Sequence, residues 1–268
     1  MTEVKTNLRW AGGKSKMIKI LDKFFPTEVN KYLETFTGGG SVLLHIMQRY
    51  NPQVAYANDI DEKLINYYNS VKNEPEVVVD ECLGIKNKYT AETFADEFHN
   101  LNREKASHFF TANKTSFSGL NKNYSIQAYD RNFSIKCINK IKDVSNVVQN
   151  VNFVNSDFAK LDNVIDNIDG FFIYLDPPYY GNKDKGLYGE KGKLHKEFDH
   201  EELFKWVEEH SKNNQIMLSY DDSPYIRELY KDYNIHVISA KRNINSNGNK
   251  RGKVEEVIVT NYITNFSE

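Results

Sequence analysis

"KYLETFTGGGSVLLHIMQRY", residues 31–50, runs from an apolar stretch through three glycines into a helical pattern. The reading is a buried strand over 31–36, a turn at Gly38, Gly39 and Gly40, and a helix opened by Ser41. Strand, glycine turn and helix in that order begin an α/β unit. Glycines at such a turn let backbone approach a ligand closely and leave the helix N–H groups free. Tight packing of the turn is the plainer alternative. The next strand, "QVAYAND" (53–59), ends in Asn58-Asp59. An acid at the tip of strand two is placed to take a ribose hydroxyl pair. The dinucleotide fingerprint fails, because Leu43 stands where its third glycine would be. The pattern suits a nucleoside-bearing ligand without a pyrophosphate.

Working outward, an amphipathic helix follows from Asp61 to about Val71. Five more strands read from "VNFVNSD" (151–157), "FFIYLD" (171–176), "QIMLSY" (215–220), "NIHVISA" (234–240) and "EEVIVTNY" (255–262). Helices over 199–211 and 223–232 separate the later ones. Alternation of this kind predicts an α/β fold: a Rossmann-like, mostly parallel sheet of about seven strands covered on both faces. Between Asn73 and Asn150 the pattern turns polar and mainly helical. The expected organisation is a catalytic domain from residues 1–72 and 151–268, with 73–150 inserted as a smaller lobe.

Composition sets the outer limits. The chain has 268 residues, 40% hydrophobic and 27% charged, enough for a sizeable core. Aromatics make up 13%, which suggests that some serve contact surfaces as well as the core. A net charge of −2 does not by itself announce a nucleic-acid binder. No stretch approaches 18 apolar residues, so the expectation is a soluble, cytoplasmic protein without membrane contact. Cys82 and Cys137 form no CxxC pair, and the seven histidines show no metal spacing, so neither a disulfide framework nor a metal is expected.

Two further stretches carry chemistry. "YLDPPYYGN" (174–182) places Asp176, Pro177, Pro178 and Tyr179 where a strand stops. The prolines end the ladder and stiffen the turn, leaving one carboxylate, one free carbonyl and one aromatic face. "RWAGGKSK" (9–16) contains Gly-Lys-Ser, but Leu8 stands where a phosphate loop needs its first glycine. That excludes a kinase or ATPase reading. There remain Trp10, a flexible glycine pair and Lys14, which either meets a carboxylate or faces solvent.

Taken together, "RWAGGK", "ETFTGGGSV", "ANDID", "NSDF", "YLDPPY" and "SNGNKRGKVEEVIVTNY" make the chain resemble the Dam-type, alpha-class N6-adenine DNA methyltransferases. The pieces run in that family's order, cofactor motif first, and span nearly the whole chain. The resemblance implies S-adenosyl-L-methionine as cofactor and S-adenosyl-L-homocysteine as product. It implies that Trp10, Lys14, Asp59 and Asp176 hold the cofactor, that Phe36 and Gly38 line its pocket, and that Asp157 approaches its adenine. Asp157 has a second reading, as the N-cap of the next turn. The catalytic set would be Asp176, Pro177, Pro178 and Tyr179. The Asp176 carboxylate and Pro177 carbonyl would accept hydrogen bonds from the adenine amine and free its lone pair, with Tyr179 stacked on the base. Such a base must be flipped out of the duplex.

Double-stranded DNA is the partner this implies. The basic stretches 181–196 and 241–253, with Lys241, Arg242, Lys250 and Arg251 in the second, are candidates for phosphate contact. Solvated loops are the alternative. The insert is the expected base reader, through Lys114, Asn121, Lys122, Tyr124 and Arg131. The Asn-x-Pro-Phe-Gly of GATC-specific relatives is missing from "NYSIQAYDRNFS", so no target sequence carries over. The resemblance leaves open a cognate restriction enzyme and a bacterial or viral source, and a monomer or weak dimer is expected. Cytosine-N4 or RNA amine methylation and a catalytically idle nucleic-acid binder are the competing readings. An acid at the first motif position favours adenine over cytosine.

Overall fold

The computed structural model describes residues 3–180, 198–241 and 253–264. In chain order its helices and strands are α1 (Ile18–Leu21), β1 (Lys31–Glu34), α2 (Ser41–Tyr50), β2 (Val54–Asn58), α3 (Glu62–Asn73), α4 (Pro75–Lys88) and α5 (Phe94–Glu97). There follow α6 (Ala106–Thr115), α7 (Ile126–Asn132), α8 (Ile135–Val147), β3 (Val151–Val154) and β4 (Phe172–Leu175). The order closes with α9 (His200–His210), β5 (Gln215–Asp221), α10 (Pro224–Leu229), β6 (Asn234–Lys241) and β7 (Lys253–Thr260). The strands form a seven-stranded sheet in the order β3-β2-β1-β4-β5-β7-β6. This is the Rossmann-like α/β architecture expected from the sequence. The chain divides into two compact units, Met1–Ile18 with Thr37–Ser156 and Lys19–Phe36 with Asp157–Glu268.

The first unit holds β2, β3 and helices α2 to α8. β2 and β3 run parallel, from Ala55 opposite Val151 to Asn58 opposite Val154. Asp61 caps α3, its carboxylate accepting the N–H groups of Lys63 and Leu64 at 3.1 and 3.4 Å. The buried side of α3 carries Leu64, Tyr67, Tyr68 and Val71. Tyr67 stacks on Phe110 and Tyr68 on Phe153, with ring centroids 6.0 and 4.9 Å apart. Each such pair is worth about 0.5–1.5 kcal/mol beyond the area it buries. Residues 75–147, the stretch of polar composition, are mainly helical here, as α4 to α8.

The second unit holds β1, β4, β5, β6 and β7. All four residues of β4 are buried, as befits a strand with parallel neighbours on both sides, β1 and β5. The strand stops at Leu175, one residue short of Asp176, because the two prolines beyond it have no N–H to give. β7 pairs antiparallel with both β5 and β6. Chain length explains the reversal: the link from β6 to β7, residues 242–252, is shorter than a parallel crossover of a dozen or more residues requires.

Candidate active site

Trp10, Lys14, Gly38 and Asp59 lie in the first unit. Gly38 and Gly40 have φ of +48° and +67°, left-handed backbone that disfavours a side chain. Space forbids one as well. A Cβ on Gly38 would come within 2.6 Å of Trp10 Nε1, one on Gly39 within 2.7 Å of Trp10 Cβ, and one on Gly40 within 2.6 Å of the Tyr68 hydroxyl. Tight packing and a ligand turn, the two sequence readings, thus coexist: Trp10 and Tyr68 fill the room the glycines vacate. The Tyr68 hydroxyl donates to Gly38 O at 3.0 Å, and Thr37 N–H donates to Asn58 O at 2.9 Å. These bonds tie the turn to α3 and to the end of β2.

Asp59, directly after β2, is held by backbone donors. Gly38 N–H reaches Oδ2 at 2.8 Å and Asp61 N–H reaches Oδ1 at 3.0 Å. Two carboxylate oxygens together offer about four acceptor sites, more than these two donors use. Burial pushes the carboxyl up to about 6, against the opposing pull of the Asp61 and Gly38 N–H groups. Lys14 is 4% exposed, on the single 3-10 turn Lys14–Lys16, and its ammonium donates to Gly12 O at 3.3 Å.

Phe36, Asp157 and Asp176 lie in the second unit. Phe36 meets Phe158 at 5.7 Å and Phe198 at 5.8 Å, and those two rings are 5.6 Å apart. The aromatic trio was visible in the sequence only through Phe36. Asp157 caps the 3-10 turn Phe158–Asn163, its Oδ1 accepting Ala159 N–H at 3.2 Å. That is the second of the two roles its sequence allowed.

Asp176 and Pro178 are partly exposed, Pro177 and Tyr179 buried. The strand before it and the two beside it carry phenols and acids. Tyr174 and Ser219 share a hydrogen bond of 2.5 Å, and the buried Tyr32 donates to the buried Glu34 at 2.6 Å. Burial drives the Tyr174 phenol well above its ordinary range, and the charges of Asp176, Glu34 and Glu256 push the same way. Tyr179 donates to Glu256 Oε2 at 3.0 Å and sits 5.9 Å from the Tyr220 ring. The neighbouring Tyr180 stacks on Tyr225 at 4.3 Å. Glu34 and Glu256 were passed over in the sequence; an acid at a buried register of an apolar strand was the available signal.

Among the residues expected to meet DNA, Lys122 and Arg131 are exposed. Lys114 is not placed for phosphate contact: it is 6% exposed, with its ammonium over the Phe110 ring and its pKa lowered by burial. Tyr124 donates to Ala91 O and packs against Phe94 and Phe98, so its hydroxyl is used within the helical region. Asn121 has φ +59°, and its N–H donates to Ser116 Oγ at 3.0 Å, a turn-forming role. The 116–124 loop closes through Phe117 N–H to Asn123 O and Ser125 N–H to Thr115 O. It holds Phe117 66% exposed. Its base is clamped to the residue before Trp10. Asn113 accepts Arg9 N–H and donates to Arg9 O, both at 2.8 Å, while the Arg9 guanidinium donates to Ser116 O at 2.8 Å. Lys241 ends β6. Its side chain, Arg242, Lys250, Arg251 and the lysine-rich stretch 181–196 lie outside the described residues.

Among the described residues no cluster of His, Cys, Asp and Glu could hold a metal ion, and no helix is long and apolar enough to cross a membrane.

The sheet thus carries an acid, Asp59, directly after β2 and Asp-Pro-Pro-Tyr, residues 176–179, directly after β4. Comparison with known proteins names the family. Residues 10–244 match the model of the D12 class N6 adenine-specific DNA methyltransferases, and the chain belongs to that family. It is 31% identical to the Type II methyltransferase M1.LlaDCHI of Lactococcus lactis subsp. cremoris, over 96% of this chain and 97% of that protein. Identity to the Type II methyltransferase M.MjaIII of Methanocaldococcus jannaschii is 30%, over 97% and 100%. The DNA adenine methylase of Haemophilus influenzae is 27% identical, over 94% and 91%.

Proposed function

We propose that this adenine-specific DNA methyltransferase transfers a methyl group from S-adenosylmethionine to N6 of an adenine flipped out of duplex DNA. The observation that carries the reading is the Asp176–Tyr179 turn, a carboxylate beyond the end of a buried parallel strand with a stiffened aromatic after it.

The residues present fit the cofactor. Within the first unit, Asp59 would accept from ribose hydroxyls and the buried Lys14 ammonium would meet a carboxylate; within the second, the Phe36, Phe158 and Phe198 rings would suit an adenine face. When bound, S-adenosylmethionine supplies a methyl on a sulfonium already activated for transfer. What the protein must do is prepare the acceptor. The lone pair of an exocyclic amine is delocalised into its ring. The Asp176 carboxylate and the Pro177 carbonyl accept hydrogen bonds from that NH2 group, which draws the nitrogen toward tetrahedral geometry and localises the lone pair. Tyr179 offers its ring face to the base. Holding the amine in line then supplies much of the rate, and only a base out of the stack reaches such a turn.

Residues 73–150 act as the target reader in this proposal, with the exposed Phe117 face available for stacking on bases and Lys122 and Arg131 for phosphates. The test uses S-adenosylmethionine labelled in its methyl group, duplex DNA, and chromatography of the hydrolysed bases. Label in N6-methyladenine supports the reading. Label in N4-methylcytosine, or in RNA but not DNA, overturns it.

A further inference from the structure

Glu256 is an acid out of place. It stands in β7 at 2% exposure, followed by Val257, Ile258 and Val259, each fully buried. A carboxylate is tolerated in such surroundings only with good hydrogen bonds. One of them comes from the catalytic motif: the Tyr179 hydroxyl donates to Glu256 Oε2 at 3.0 Å, across 77 residues of sequence. The backbone beneath the acid is firmly held, because Glu256 lies opposite Asp221 on one flanking strand and Ile238 on the other.

We propose that Glu256 is a positioning residue for the Asp-Pro-Pro-Tyr motif: by accepting the Tyr179 hydroxyl it pins the tip, and so the direction, of the ring on which the target base stacks. The inference rests on the stacking role given to Tyr179 above. Pro177 and Pro178 stiffen the backbone before the tyrosine, but they do not set where its ring points. A bond at the far end of the ring does. With Tyr220 at 5.9 Å beside it, the ring is held at its root, its flank and its tip. A phenylalanine would offer the same face for stacking, so the hydroxyl's contribution is aim. The same bond accounts for an acid among the apolar residues of β7.

The experiment uses the full chain and duplex DNA carrying the sequence it methylates, mapped by modified-base sequencing. Single-turnover transfer is measured at saturating S-adenosylmethionine for Tyr179→Phe, Glu256→Met, Glu256→Gln and the Tyr179→Phe/Glu256→Met pair. Tyr179→Phe and Glu256→Met should each slow transfer about tenfold, less than the roughly hundredfold that a 1 Å misplacement can cost, with cofactor affinity unchanged. The pair should fall no further than the slower single variant, because both remove one interaction. Glu256→Gln, which keeps an acceptor oxygen, should restore most of the rate. With 2-aminopurine at the target position, Tyr179→Phe and Glu256→Met should fluoresce more brightly than wild type as the flipped base loses its stack. Should Glu256→Met fail to fold, Tyr179→Phe, which removes a single oxygen, still decides through its rate and its fluorescence. A full-rate Tyr179→Phe, or losses that multiply in the pair, overturns the inference alone. A wild type that puts no methyl on DNA adenine sinks the methyltransferase reading and this inference with it.

Discussion

Asp59 and Asp176 both stand just beyond a strand, in different surroundings. Asp59 is gripped by main chain: the N–H groups of Gly38 and Asp61, one to each oxygen. Side-chain bonds flank Asp176 in the chain: Tyr174, two residues before it, is bonded to Ser219, and Tyr179, three residues after it, to Glu256. A backbone grip is independent of side-chain identity but demands glycine at one place. A side-chain grip can be tuned, and it can fail one residue at a time. The contrast suits the proposed roles, since a ribose needs only a fixed acceptor whereas a reacting amine needs an aimed one.

The comparison breaks first at Asp176. Asp176→Asn is nearly isosteric, but its amide presents donors where the substrate NH2 needs an acceptor. Single-turnover methyl transfer at saturating cofactor should fall at least about a hundredfold, near 2.7 kcal/mol of barrier, while folding and DNA binding persist. Near wild-type transfer would remove Asp176 from the chemistry.

Asp59→Ala should act on the other quantity. Losing a charged acceptor, worth about 1.5–3 kcal/mol, should weaken S-adenosylmethionine binding roughly tenfold to a hundredfold by calorimetry. The rate at saturating cofactor should stay near wild type. A loss of rate with unchanged affinity would reverse the two assignments.

Acidity sharpens the same point. An Asp59 pKa raised from 3.8 to about 6 means that the folded protein takes up this proton while the unfolded chain still lacks it. The stabilising effect of that proton is complete below the unfolded value and is lost as pH rises through about 6. Cofactor binding runs the other way, because the ionised carboxylate is the better acceptor. Affinity should drop by up to about tenfold per pH unit once the pH is below that value, and Asp59→Asn should flatten the dependence. A flat wild-type profile from pH 7.5 to 5, on the order of the range where this group titrates, would show that Asp59 is not the ribose acceptor.

The smallest effect is expected at the basic residues of the helical insert. Neutralising Lys122 and Arg131 together should lower the slope of log DNA affinity against log salt by about two, and leave cofactor affinity untouched. Lys114→Met, by contrast, should leave that slope alone, since the ammonium already lies over the Phe110 ring. An unchanged slope in the first variant would return both residues to solvent.

Much of this was legible in the sequence because it is local. The three glycines, the acid after β2 and the paired prolines after β4 each lie within a few residues of the turn they govern, and the strands followed from apolar runs. What escaped was either non-local or hidden by composition. Nothing near Tyr179 announces Glu256, which comes to it only because β7 doubles back beside β5. Lys114 read as a basic residue in a polar stretch, but nine of the ten residues of α6 are buried. Its polar side chains are used internally: Ser107 donates to Glu81, Thr115 to Thr111 O, and Asn113 to Arg9 O and Gly119 O. A helix buried all round shows no apolar stripe. Its polarity therefore looked like surface.

The glycine turn has a consequence for how this chain can change over time. Trp10 and Tyr68 occupy the space that side chains at residues 38, 39 and 40 would need. No single substitution toward a larger residue at those positions is compatible with the two aromatics as they stand. Shrinking Trp10 first would open a hole against the turn before anything could fill it. The turn and the two aromatics, far apart in the chain, are coupled as tumblers are in a lock. Drift there must come in pairs or not at all.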